Sequence, residues 1–154
     1  MFKGNCLKVR SIFISIILGV SLNLFSGYAG AVTVIANTSV ADTTLTKSKL
    51  RRIFIMRQTK WANGEPIRVF VLEQRSELHQ SFCKSSLGLF SYQLERQWNK
   101  LVYSGLGEAP TTVKDKQTMI EMVASTPGAI GYVDDLIDRD DIRVITLEGG
   151  SSVE

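Results

Sequence analysis

The sequence has little cysteine and almost no histidine, which limits the chemistry it can perform. It contains two cysteines, Cys6 and Cys83, and one histidine, His79. No other cysteine, histidine or carboxylate stands at metal-ligand spacing around His79, so we expect that side chain on the polar surface of a helix. Cys83 lies four residues later, but a catalytic thiol needs a base and an electropositive pocket, and we expect a small buried residue. The sequence therefore predicts no metal, no cofactor and no enzymatic activity.

Acidic residues are missing from the first 41 positions, and this beginning indicates secretion. Three basic residues precede an apolar run over 11–25, and small residues follow up to Ala31. A basic start, an apolar run and an A-x-A ending are typical of a cleaved signal peptide. The alternative is an uncleaved anchor, but dense apolarity stops at Phe25 and a membrane span needs about 20 such residues. We predict a signal peptide over 1–31, with cleavage after Ala31 or, as second choice, Ala29, and a periplasmic protein.

The segment after the signal lacks a surplus of either charge. All three surplus basic residues lie in the signal, and the remainder has 15 basic and 15 acidic residues. A basic balance would have indicated nucleic acid as a partner, and that argument disappears here. With Cys83 as the one remaining cysteine, no intramolecular disulfide can form. We expect one domain over 32–146 and a flexible tail over 147–154.

Strand-like and helix-like segments alternate along that domain. Short apolar runs at 31–37, 67–72 and 127–133 predict buried strands, and IRVITL at 142–147 is a further candidate. Helical spacing appears in LTKSKLRRIF, in SELHQSFCKSSL, in SYQLERQWNKLVY with Leu94, Trp98, Leu101 and Val102 on one face, and in VKDKQTMIEMVAST. Strands separated by helices predict an α/β fold, a mixed or parallel sheet flanked by helices.

Arg75 and Ser76 stand where a predicted strand ends and a helix begins. A helix N-terminus offers free N–H groups and the positive end of the dipole, and a guanidinium adds charge-assisted hydrogen bonds, so an oxyanion could bind there. Ser76 is equally an ordinary N-cap, and Glu73 and Glu77 flank the site and would repel an anion. Both interpretations stay open on the residues alone.

Two charged segments are further candidates. Six basic residues and no acid lie between 47 and 60, which describes either a solvated helix face or a patch for anionic lipid or an acidic protein. The aspartate-rich DDLIDRDD over 134–141 resembles a calcium loop only in composition. An EF-hand loop starting at Asp138 needs glycine at its sixth position and glutamate at its twelfth, where this chain has Arg143 and Gly149. A solvated turn is the prediction there.

The order of segments resembles the phosphate-binding proteins of ABC transporters, and more closely a short, single-domain set of their homologues. The resemblance covers about 32–134 and is most specific in two pieces. One is the helix ending in Arg52-Ile53-Phe54 before Trp61, and the other is TPGAIGY over 126–132. It implies a single lobe of the type 2 periplasmic binding protein fold, matching the second of the family's two lobes.

The resemblance also implies a ligand site, which this chain matches in part. The family's phosphate ligands lie in an R-S-D-x-S-G-T-T pattern at a helix N-terminus, and Arg75 and Ser76 match it while the serine-glycine-threonine element is absent. It implies a weak phosphate or oxyanion site using Arg75, Ser76 and the backbone amides of Glu77, Leu78 and His79. Implied partners are an ABC transporter or another envelope protein, and a second copy that would complete the cleft as a homodimer. The alternative is a ligand-free interaction module of the cell envelope, with a basic face formed by Lys47, Lys49, Arg51 and Arg52.

Overall fold

A computed structural model describes residues 32–135 and 137–148; the predicted signal peptide and most of the predicted tail lie outside them. Within this part the chain forms six strands: β1 (Thr33–Asn37), β2 (Thr44–Thr46), β3 (Arg68–Leu72), β4 (Thr111–Val113), β5 (Ala129–Val133) and β6 (Ile142–Glu148). Its helices are α1 (Lys47–Phe54), α2 (Glu77–Phe82), α3 (Ser91–Tyr103) and α4 (Lys116–Ser125). A π-helical segment, Cys83–Leu87, continues α2.

All six strands form one mixed sheet in the order β2-β6-β1-β5-β3-β4. β1 is antiparallel to β5 and β6, whereas β3 is parallel to both β4 and β5. This confirms the predicted α/β class. The sequence gives little sign of β2 and β4, because each has three residues, lies at an edge of the sheet and buries one side chain.

The centre of the sheet is buried on both faces, which explains the continuous apolar runs in the sequence. Every residue of β5 is buried, and so are the last four of β1. Helix α4 packs closely on β5 because Gly131 has no side chain: a Cβ there would collide with Sδ of Met119. The Asn37 amide donates to the carbonyls of Val123 and Ala124 at 2.9 and 2.7 Å, so β1 also holds the end of this helix.

The helices bury the faces that their spacing predicts, with one exception. Leu50, Ile53 and Phe54 of α1 are fully buried, and Leu94 of α3 is too. Val102, expected on the apolar face of α3, is instead 46% exposed. Eight residues at about 100° each turn it roughly 80° away from Leu94, to the edge of the apolar stripe. Among the described residues, no helix combines the length and apolarity needed to cross a membrane.

Candidate functional site

Arg75 and Ser76 lie in the turn between β3 and α2, at the carboxyl end of the parallel strands. β3 ends at Leu72, which pairs with Val113 at the end of β4. Ligands of open α/β sheets bind beyond this edge. Ser76 is the N-cap of α2 as predicted, and its Oγ accepts the N–H of His79 at 3.5 Å.

The backbone amides of this turn are partly occupied by the protein itself. The N–H of Ser76 donates to the carbonyl of Glu73 at 2.9 Å, and that of His79 is taken by the Ser76 hydroxyl. The N–H groups of Glu77 and Leu78 occupy the first two positions of α2, where no intrahelical carbonyl is within reach. Of the three amides predicted for an oxyanion, two therefore have no intrahelical partner.

The charges around the turn are mixed. The Arg75 side chain is exposed, and the backbone carbonyl of Arg75 accepts a hydrogen bond from the side chain of Gln80 at 3.5 Å. Glu73 and Glu77 are exposed on either side of it. Two carboxylates beside one guanidinium repel a bound anion, although water and salt weaken that repulsion at an exposed site.

The neighbouring helix N-terminus at the same edge already has a carboxylate. Asp115 caps α4, with Oδ1 accepting the N–H of Thr118 at 2.8 Å, and this bond lowers the pKa of the Asp115 carboxyl. Lys116 forms ion pairs with Asp134 at 2.9 Å and with Asp135, which ties the start of the aspartate-rich segment to α4. Asp135 and Asp138 are exposed. The described ranges contain no group of three or more side chains that could hold calcium or another metal.

His79 is the main correction to the sequence-based site. It was expected on the surface, but its side chain is 1% exposed and lies inside the protein. Nδ1 is 2.5 Å from the Tyr132 hydroxyl, and Nε2 is 3.5 Å from Sγ of Cys83. His79 and Phe82 of α2 and Cys83 at the start of its π-helical continuation share one face, because residues three and four apart lie side by side on a helix. His79 occupies the position at which the R-S-D-x-S-G-T-T pattern has its second serine. Because its side chain lies in the core, it supplies no ligand atom at the start of α2.

Burial keeps the side chains of His79, Cys83 and Tyr132 neutral. It lowers the pKa of His79 to about 4 and raises the pKa of the Cys83 thiol to about 12, and the pKa of Tyr132 is raised as well. At neutral pH the pair is therefore an uncharged imidazole and a thiol. The i, i+4 arrangement of His79 and Cys83 does form, but without a thiolate it has no nucleophile.

Three residues that carry the resemblance, Trp61, Gly128 and Tyr132, have structural roles. The carbonyl of Gly128 accepts hydrogen bonds from the Trp61 indole and the Arg68 amide, both at 3.0 Å. Gly128 has φ +71°, and a Cβ there would collide with the Pro66 carbonyl oxygen. The hydroxyl of Tyr132, in the same motif, accepts the N–H of Leu72 at 2.9 Å. Trp61 of the first piece and Gly128 of the second thus join the turn before β3 to the start of β5, and Tyr132 joins β5 to the end of β3.

The four residues of the predicted basic face have different surroundings. Lys49 forms an ion pair with Asp42 at 2.9 Å, and Arg52 is exposed. The Arg51 guanidinium donates to the carbonyls of Leu87, at 2.6 Å, and Gly88, at 3.4 Å. A depression of about 440 Å³ beside it is lined by Lys47, Ser48, Arg51, Lys84, Ser85, Ser86, Leu87 and Gly88.

Arg51 also belongs to a larger groove between α1 and α3, of about 910 Å³, which we call the α1–α3 groove. It is lined by Arg51, Ile55, Arg57, Leu89, Tyr92, Gln93, Arg96, Gln97, Asn99 and Lys100. Arg96 and Lys100 were not predicted as site residues from the sequence. Their i, i+4 spacing after Tyr92 would have placed all three on one face of α3.

Solved structures show the same fold. An ABC-type phosphate transport receptor from Vibrio cholerae matches 75% of this chain with a TM-score of 0.58 and 18% identity. A putative phosphate ABC transporter substrate-binding protein from Clostridium perfringens, with bound phosphate, matches 75% with a TM-score of 0.62 and 17% identity. A possible phosphate binding protein from Planctomyces limnophilus matches 78% with a TM-score of 0.55 and 15% identity. No model of a protein family matches the sequence, and no curated protein does.

The matches confirm the predicted fold as a partial lobe. This chain spans 42% to 45% of the length of these three proteins. Their names describe transport or binding proteins. The described domain thus shares the fold of one part of these proteins.

Proposed function

We propose that the protein is a secreted, periplasmic oxyanion-binding lobe and has no catalytic role. The observation that supports this most is the coincidence of fold and position: the domain shares the fold of phosphate receptors, and Arg75 and Ser76 lie at the carboxyl end of its parallel strands. The ligands are the Arg75 guanidinium, the Ser76 hydroxyl and the amides of Glu77 and Leu78. The His79 amide joins them only when it leaves Ser76 Oγ. Phosphate is the first anion to test.

The proposed site is weak by construction. The Ser76 hydroxyl accepts the His79 N–H, which withdraws that amide from the site, and Glu73 and Glu77 oppose the anion. One exposed guanidinium with two amides is consistent with a dissociation constant on the order of 1 mM. A second copy of the lobe facing this edge would supply the missing wall, and a homodimer is part of the proposal. An ABC transporter is the proposed recipient of the anion.

Titration calorimetry with phosphate, then sulfate, at low salt tests the proposal. The full chain is expressed and the form that accumulates is purified, alongside Arg75→Ala and the control Arg68→Ala, which removes an exposed arginine from β3. We expect saturable binding in the parent and the control, and none in Arg75→Ala. Heat that survives in Arg75→Ala, or no heat in the folded parent, would contradict the anion site.

Mass measurement of the accumulated protein tests the proposed secretion. Cleavage after Ala31 leaves residues 32–154, and cleavage after Ala29 leaves two residues more. A periplasmic fraction holding either form is the expected outcome. An uncleaved chain in the membrane fraction would show that the N-terminal segment is an anchor.

The second candidate function is a protein-interaction module of the cell envelope. The α1–α3 groove favours it, since an oxyanion site at Arg75 gives that groove no role.

A further inference from the structure

The α1–α3 groove gathers positive charge from two separate segments of the chain. Arg51 and Arg57 come from α1 and the turn after it, and Arg96 and Lys100 come from α3. No carboxylate is among the residues that line the groove. Within 32–135 and 137–148, none of these four forms an ion pair, whereas Lys49, Lys116 and Arg139 all do. A concave surface with four unneutralised cations attracts a negatively charged partner.

The lining is pre-organised at Arg51 and partly apolar. Arg51 is held by the carbonyls of Leu87 and Gly88, so less side-chain freedom is lost when its remaining N–H groups bind a carboxylate. Ile55 and Leu89 are half-buried in the groove. Tyr92 lies beside them, 60% exposed, and its ring stacks on Phe90 with centroids 5.8 Å apart. The surface thus offers an apolar floor within a basic rim, the usual anatomy of a protein-binding site.

The shape favours a chain segment over a flat surface. α3 has 13 residues and is about 20 Å long, and the groove follows the part that begins at Tyr92 and ends at Lys100. A bilayer surface binds protruding apolar residues and cannot enter a concave groove, whereas a helix or an extended peptide can.

A second copy of the same chain offers the groove an acidic segment that is already partly neutralised. In the aspartate-rich segment 134–141, Asp134 and Asp135 pair with Lys116, and Asp141 pairs with Arg139 at 2.6 Å. A partner with unpaired carboxylates has the better charge complementarity.

We propose that the α1–α3 groove binds an acidic segment of another protein, with carboxylates on Arg51, Arg57, Arg96 and Lys100 and an apolar side chain on Ile55, Leu89 and Tyr92. The depression beyond Arg51, with Lys47 and Lys84, extends the same basic surface. The proposal goes beyond the oxyanion site and does not depend on it, because no lining residue of the groove belongs to the Arg75 turn.

Fluorescence anisotropy with defined probes tests it on the full chain at about 150 mM salt, where long-range attraction is screened. The probe is a fluorescein-labelled 16-residue peptide of Glu, Leu and Gly. The test variant is Arg96→Glu with Lys100→Glu. The matched control is Arg68→Glu with Lys114→Glu, which makes the same charge change at exposed residues outside the groove. We expect the test variant to weaken peptide binding at least about tenfold and the control less than about threefold.

Two further arms separate the groove from general attraction. A peptide with Ser in place of Leu should bind about tenfold more weakly to the parent chain. Tyr92→Ala should lose most of that preference while remaining folded, because its ring is largely exposed. Equal losses in the two charge variants, no preference for Leu, or no binding at all would overturn the proposal. Binding to phosphatidylglycerol vesicles in place of the peptide would assign the groove to lipid.

The outcome is distinguishable from that of the oxyanion site. Arg75→Ala should leave peptide binding unchanged, and the Arg96 and Lys100 double variant should still give the phosphate heat. Loss of peptide binding in Arg75→Ala would show that the two surfaces are one, which contradicts the groove as an independent site.

Discussion

The Nδ1 atom of His79 lies 2.5 Å from the Tyr132 hydroxyl, inside the core. That hydroxyl accepts the N–H of Leu72, so its own proton is free to donate to Nδ1. Nε2 then carries the ring proton and faces Cys83 Sγ. The Tyr132 ring stacks on Phe82, with centroids 3.9 Å apart. These contacts join α2, β3 and β5 through one neutral polar group, and they make the start of α2 part of the folded core.

The first prediction concerns pH. Folding lowers the pKa of His79 to about 4 from 6.5, so between these values the unfolded chain binds more protons than the native one. The neutral imidazole contributes fully to the free energy of unfolding above about pH 6.5. It falls as the pH drops toward 4, by at most about 1.4 kcal/mol per pH unit. Urea unfolding at pH 7.5, 6 and 5 measures the slope.

His79→Gln provides the control for that measurement, since glutamine keeps a polar side chain and does not titrate. We expect it to be less stable at pH 7.5 by about 1–3 kcal/mol, with a flatter dependence between pH 6.5 and 5. The same slope in parent and variant would assign the acid sensitivity to other groups.

The second prediction compares two glycines of similar backbone conformation. Gly128 has φ +71° and Gly105 has φ +68°, so alanine meets about the same backbone strain at each, roughly 1–2 kcal/mol. A Cβ at Gly128 collides with Pro66, whereas nothing lies within 4 Å of one at Gly105. Gly128→Ala should therefore be less stable than Gly105→Ala by about 1–3 kcal/mol. Equal thermal unfolding midpoints would contradict the close approach.

The third prediction concerns Cys83, which is fully buried with a thiol pKa raised to about 12. In a Cys6→Ser chain it is the single thiol, and we expect alkylation by iodoacetamide at pH 8 to be slower than in urea by at least about 100-fold. Mass spectrometry over time follows the reaction. Rapid labelling of the folded chain would reopen a catalytic role for this cysteine.

The fourth prediction concerns the joint between α1 and α3, beside the proposed groove. The Trp98 indole N–H donates to the carbonyl of Phe54 at 2.7 Å, at the end of α1. Trp98→Phe keeps an aromatic ring and leaves that carbonyl without its donor, which should cost about 1–3 kcal/mol in chemical unfolding. If the α1–α3 groove binds as proposed, this variant should also weaken peptide binding by loosening the two walls. Unchanged stability would show that water replaces the indole.

Much of the fold follows from local patterns. The runs that became β1, β3 and β5 are apolar because both faces of a central strand are buried, and α1 buries the three residues that its spacing indicated. β2 and β4 gave little signal, since an edge strand of three residues needs few apolar side chains. His79 shows a different limit: a polar residue at the start of a helix is typical of the surface, and a hydroxyl 53 positions away is what allows it to be buried.

The sequence by itself determined the alternation of strands and helices, the cap at Ser76 and the balance of charge after the first 31 residues, because each depends on neighbours along the chain. Tertiary structure alone decided which groups meet. It turned the one histidine inward onto Tyr132, engaged Lys49 with Asp42, and brought Arg57 to the same groove as Arg96 and Lys100. The reason is that hydrogen bonds, ion pairs and grooves depend on distances between residues far apart in sequence, which only the packed chain sets.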